Sequence, residues 1–90
     1  MKLNKVVIIL GKRLVHDQLS AEGRSRVEAL VSVLNQWDFE STALVFCGGV
    51  TQGQTISEAD AMYQYFGQLA KVRGIDFPDQ QVIIESRSLN

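Results

Sequence analysis

The chain has 90 residues, 46% of them hydrophobic and 21% charged, which suits one globular domain with a modest core. The formal net charge is −1 with both signs interspersed, so we expect no nucleic-acid partner and no attraction to an anionic membrane. Cys47 is the single cysteine, which excludes an internal disulfide, and we expect no metal site. The apolar run from Val6 to Leu10 is too short for a signal peptide or a membrane span, and we expect a cytoplasmic protein.

That apolar run is the first predicted element. Val6 to Leu10 is apolar at every position, which is the pattern of a central parallel strand buried on both faces. Gly11 ends the strand, and Ser20 is a suitable N-cap for a helix. The helix is predicted over 21–36 because its apolar residues recur at helical spacing. They are Val27, Leu30, Val31, Leu34 and Trp37.

A second apolar strand is predicted over Thr42 to Cys47, and a glycine pair follows it. Thr55 and Glu58 fit a capping box that starts helix two, which Gly74 would end in a left-handed conformation. In α/β folds, a glycine loop that leads into a helix often binds an anion or nucleotide through free amides and the helix dipole. Turn formation is the alternative role of Gly48 and Gly49.

The third strand, Val82 to Ile84, ends at Glu85 and completes a β-α-β-α-β order. Both connections are long enough to contain helices, so the strands are predicted to be parallel. The strand C-terminal ends then lie at one edge, where residues 11–17, 48–54 and 85–90 should converge. Three strands buried on both faces need helices on both sides, yet only two helices are predicted. We therefore expect either that the domain continues past Asn90 or that a second subunit, for example in a homo-oligomer, covers the bare face.

Four segments, in this order and spacing, resemble the bacterial YdcF, SanA and ElyC family. They are Ile8 to Gly11, Arg26 to Ala29, Cys47-Gly48-Gly49 with Ser57-Glu58-Ala59, and Glu85 to Asn90. The resemblance implies a Rossmann-like α/β domain, a three-layer sandwich of which residues 1–90 form a single unit without the C-terminal part. It also implies a nucleotide or S-adenosylmethionine as ligand and a link to cell-envelope biogenesis. Cys47 departs from the serine that is usual in the family.

The candidate ligand-binding residues lie on the three loops and at the starts of the helices. They are Gly11, Lys12, Arg13, Arg26, Gly48, Gly49, Thr51, Glu58, Glu85, Ser88 and Asn90. Lys12 and Arg13 could pair with a phosphate or carboxylate, or remain solvated. Glu85 could accept hydrogen bonds from ligand hydroxyl or amino groups, and Glu58 could contact the ligand or only close the capping box.

These observations favour a small-molecule binding domain. An enzyme is one alternative, a transferase or hydrolase that acts on an envelope precursor with Glu58 or Glu85 as general base. The sequence contains no nucleophile, base and orienting group in an evident relation, so no catalytic residue is assigned. An interaction module with a degenerate site, docking through the bare sheet face, is the other alternative.

Overall fold

The computed structural model describes residues 4–87, which form a small α/β fold. The elements, in chain order, are β1 (Lys5–Leu10), α1 (Ala21–Leu34), β2 (Thr42–Cys47), α2 (Glu58–Arg73) and β3 (Val82–Glu85). Single turns of 3₁₀ helix, Phe39–Ser41 and Asp79–Gln81, lead into β2 and β3. The predicted α/β class and the β-α-β-α-β order are confirmed. No helix in this part of the chain is both long and apolar enough to cross a bilayer.

The three strands form one parallel sheet in the order β1-β2-β3. Lys5 pairs with Thr42 at one end of the β1 ladder and Leu10 pairs with Cys47 at the other. β2 is therefore the central strand of the described sheet, and the prediction that Val6 to Leu10 forms a central strand is wrong. An apolar run alone does not reveal the order of the strands.

Both helices pack on the same face of this sheet. Because side chains alternate along a strand, Val7 and Ile9 point toward the helices while Val6, Ile8 and Leu10 point away. Ile9 joins Phe46, Val27 and Met62 in one hydrophobic core. Two successive right-handed crossovers in a monotonic strand order place both helices on one side. The described residues thus form two layers, and the opposite face of the sheet carries no helix from this part of the chain.

The start of α2 differs from the predicted capping box. The N-cap is Ser57, whose hydroxyl oxygen accepts a hydrogen bond from the Asp60 amide at 2.9 Å. Thr55 lies before the helix and donates its hydroxyl to Asp17. Ser57 and Asp60 have the same spacing as Thr55 and Glu58, and Ser57 is also a good N-cap residue. The sequence spacing therefore could not tell which of the two hydroxyl residues begins the helix. Gly74 ends α2 in the left-handed conformation, as predicted, with φ 69°.

Candidate functional site

A cavity of about 340 Å³ lies where β1 ends, and we call it the β1 cavity. Its lining consists of Leu10, Gly11, Lys12, Arg13, Arg26 and Glu58. Five of these six residues belong to the predicted ligand-binding set. The cavity thus joins the first loop, the early part of α1 and the first residue of α2 at the C-terminal end of the strand, where α/β sheets bind their ligands.

Gly11 and Glu58 form the tightest contact in this cavity. A Cβ atom on Gly11 would lie 2.5 Å from Glu58 Oε1, 2.7 Å from Glu58 Cβ and 2.9 Å from the Cys47 carbonyl oxygen. The Gly11 amide also donates to that Cys47 carbonyl at 2.7 Å, which extends the β1–β2 ladder by one residue. Only glycine leaves space for the buried Glu58 side chain beside the backbone. Gly11 therefore determines how closely α2 approaches the end of β1.

Arg26 reaches the cavity from the second turn of α1. Its Nη1 donates to the Leu10 carbonyl at 2.7 Å and to the Gly11 carbonyl at 3.3 Å. These carbonyls belong to the last paired residue of β1 and to the residue after it, so the guanidinium caps the end of the strand while it lines the cavity. Arginine suits both tasks because its planar group carries several donors.

The other cations of the cavity come from the first loop. Lys12 Nζ lies 2.9 Å from Glu22 Oε2, and Arg26 Nη2 lies 3.8 Å from the same oxygen. The hydrogen bond from Lys12, followed by the charges of Lys12 and Arg26, lowers the pKa of Glu22. Arg13 is exposed beside them. The three cationic side chains Lys12, Arg13 and Arg26 therefore outnumber the carboxylates of Glu22 and Glu58 that accompany them.

The Gly48-Gly49 pair supports α2 but does not line the β1 cavity. The Glu58 amide donates to the Gly49 carbonyl at 3.0 Å, and the Ala59 amide donates to the Gly48 carbonyl at 3.1 Å. Because Ser57 also binds the Asp60 amide, the first three amides of α2 are occupied within the protein. The predicted cradle of free helix amides is not formed. Gly48, with φ 154°, provides the backbone conformation that this contact needs.

The remaining predicted residues are separate from the cavity. Glu85 pairs in register with Cys47 and lies on the sheet face away from the helices, where its Oε1 accepts from the Arg87 amide at 2.6 Å. Thr51 lies in the loop after β2, and its carbonyl accepts from the Gln54 amide. Neither lines the β1 cavity. Ser88 and Asn90 lie outside the described residues.

Asp17 is a structural residue that the sequence did not reveal. His16 and Asp17 both have positive φ, 51° and 61°, in a tight turn that pairs Val15 with Gln18. The Asp17 carboxylate accepts from the Thr55 amide and the Thr55 hydroxyl, each at 2.6 Å. These bonds, the hydroxyl first, lower the pKa of Asp17. They connect the first loop to the second, although the two residues are 38 positions apart.

The chain matches no protein-family model, and no curated protein or solved structure matches it.

Proposed function

We propose that this chain is a small-molecule binding domain that holds a ligand with an anionic group in the β1 cavity. The observation that carries the proposal is the convergence of Gly11, Lys12, Arg13, Arg26 and Glu58 on one cavity from three separate segments. Its volume of about 340 Å³ lies at the small end of the range for ligand sites.

The side chains of the cavity suit an anion with a second polar group. Arg13 and Lys12 can donate to phosphate or carboxylate oxygens from an exposed loop. Arg26 adds positive charge while its Nη1 stays bonded to the strand carbonyls. The Glu58 carboxylate can accept hydrogen bonds from a ligand hydroxyl or ammonium group.

The family resemblance implies a nucleotide or S-adenosylmethionine as ligand. The side chains of the β1 cavity fit the charged groups of these ligands better than they fit the adenine base. The carboxylate and ammonium groups of S-adenosylmethionine, or the phosphate and ribose of a nucleotide, match the cations and Glu58. Within residues 4–87, the lining contains no aromatic side chain on which an adenine base could stack. The proposed ligand is therefore nucleotide-like or S-adenosylmethionine-like in its charged part, and the assignment to a Rossmann-like, YdcF-type envelope-linked domain rests on the resemblance.

Isothermal titration against AMP, ADP, S-adenosylmethionine and inorganic phosphate tests this proposal. We expect heat with at least one of them and a Kd that rises about 10- to 100-fold in Arg13→Ala, the effect of losing a hydrogen bond to a charged group. Arg73→Ala is the matched control because it removes the same charge from the exposed end of α2. Absence of binding to all four compounds, or equal weakening in both variants, would contradict the proposal.

The structure leaves one of the two candidate general bases for the enzymatic alternative. Of the two candidate general bases, Glu58 lines the cavity and Glu85 lies on the opposite face of the sheet. A reaction in the β1 cavity would therefore use Glu58. Substrate turnover that persists in Glu58→Gln would exclude this assignment.

A further inference from the structure

The sheet face opposite the helices, which we call the open face, is an apolar surface. It comprises Val6, Ile8, Leu10, Val45, Cys47 and Ile83. Val6, Ile8 and Leu10 each keep 59% of their surface exposed, and Ile83 keeps 53%. The register places Ile8, Val45 and Ile83 side by side across all three strands, so the exposed side chains form one continuous patch. Contiguous apolar patches of this kind mark interaction sites.

We propose that a second copy of this chain covers the open face, so that two sheets pack face to face with the helices on the outside. This interface does not depend on the ligand proposed above. In a twofold arrangement the same patch serves both partners, so each apolar side chain contacts another side chain of that patch. Apolar sheets that pack in this way lie about 10 Å apart and interlock their side chains.

The charge distribution favours a twofold contact. A group near a twofold axis lies opposite its own copy, so a charge at the centre of the interface would cost free energy. The six open-face residues carry no ionised group, and Glu85 lies at the C-terminal border beside Cys47. A polar border around an apolar centre is the normal composition of a protein interface.

The size of the open face suits a weak dimer rather than a permanent one. Strands about 4.8 Å apart with a rise of about 3.3 Å per residue give a patch about 14 Å wide and 20 Å long. Two such patches have a combined planar area of about 560 Å², which is below the roughly 1,200 Å² that a stable specific interface buries. The dimer should therefore form reversibly.

The outer edge of β1 offers a competing surface. An apolar groove of about 580 Å³ runs along this strand beside α1, lined by residues such as Ala29 and Trp37 and also by Ile8 and Leu10 of the open face. A second copy bound there would extend the sheet and leave the β3 side of the open face exposed. Ile83 distinguishes the two modes because it lies on β3, at the opposite edge of the sheet.

Sedimentation equilibrium of the full chain tests the proposal. Between about 5 and 500 μM we expect the weight-average mass to rise from the 10.0 kDa of one chain toward twice that value. Ile83→Lys, and independently Ile8→Lys, should give monomers with unchanged far-ultraviolet circular dichroism. Val72→Lys is the matched control, since Val72 is an exposed valine on α2, remote from the open face. Ala29→Lys, an exposed change in the groove beside β1, should also remain dimeric.

Several results would overturn the proposal. A monomeric wild-type chain would do so, as would a dimer that survives both Ile83→Lys and Ile8→Lys in folded form. If the dimer dissociates in Ala29→Lys but persists in Ile83→Lys, the interface lies at the β1 edge. A mass well above the dimer would indicate open-ended association through strand edges.

Discussion

At the scale of single residues, Gly11 is the glycine whose backbone is packed most tightly against a side chain, that of Glu58. It follows β1 directly, and the buried Glu58 side chain occupies the space that a Cβ atom would need. The glycine could be predicted from the sequence as the end of a strand and as a site residue. Its contact with Glu58 could not, because the two residues are brought together only by the packing of α2.

Gly11→Ala should destabilise the fold by about 1–3 kcal/mol, the usual cost of forcing an extra group into a packed site. The control is Gly67→Ala, since a Cβ on Gly67 meets nothing within 4 Å and the residue lies inside α2. That variant should gain about 0.5–1 kcal/mol because alanine is the better helix former. Urea unfolding measures the free energy of unfolding of both variants. If Gly11→Ala leaves that free energy unchanged, the Glu58 side chain does not pack against Gly11.

At the scale of elements, polar side chains connect segments that are distant in sequence. Gln81, in the turn before β3, is buried and donates its amide to the Phe39 carbonyl and, at 2.6 Å, to the Thr42 carbonyl. It thereby joins the approach to β3 with the start of β2. Asp17 joins the first and second loops in the same way.

Gln81→Leu should destabilise the fold by about 1–3 kcal/mol, because two carbonyl groups lose a buried donor. Gln80→Leu is the control, since it makes the same change at an exposed neighbouring position. Thermal unfolding followed by circular dichroism compares the two. Equal melting temperatures would mean that water replaces the Gln81 amide without cost.

The contact between Asp17 and Thr55 should depend on pH. The pKa of Asp17 is lowered from 3.8 by the Thr55 hydrogen bonds, so its stabilisation is complete above that value and is lost as the pH falls through the lower folded pKa. The NMR shift of the Thr55 amide should therefore titrate with a midpoint below 3.8. Asp17→Asn should remove this titration, and a midpoint above 3.8 would contradict the contact.

Some features of the helices and strands could be predicted from the sequence, and others could not. The β2 boundaries, the Ser20 cap and the Gly74 stop follow from local propensity, and the structure agrees. The position of β1 at the edge and the start of α2 at Ser57 depend on tertiary packing, which local patterns do not encode. A general rule about strand ends predicted Gly11, Lys12 and Arg13 as site residues, whereas Arg26 and Glu58 were included because of the family resemblance. That rule did not exclude Glu85, because side chains at the same sheet edge can still point to opposite faces.

At the scale of the whole molecule, the main feature is that both helices cover one face of the sheet while the open face remains exposed. If a second copy covers the open face, only the folded state can form the dimer, and mass action then stabilises that state. The melting temperature should therefore rise with protein concentration between about 5 and 500 μM. Differential scanning calorimetry measures this rise, and Ile83→Lys should abolish it. A wild-type melting temperature independent of concentration would contradict the dimer.

The parallel register also has a consequence for how the chain folds. Lys5 pairs with Thr42 and Leu44 pairs with Val82, so each ladder joins residues separated by 37 or 38 positions. The chain must close such a loop before the first interstrand hydrogen bond forms, which makes the search for the native state slower than in a helical bundle of equal length. β2 takes part in both ladders and must be in place for either to form. The central strand, rather than either helix, should therefore limit the rate at which the sheet assembles.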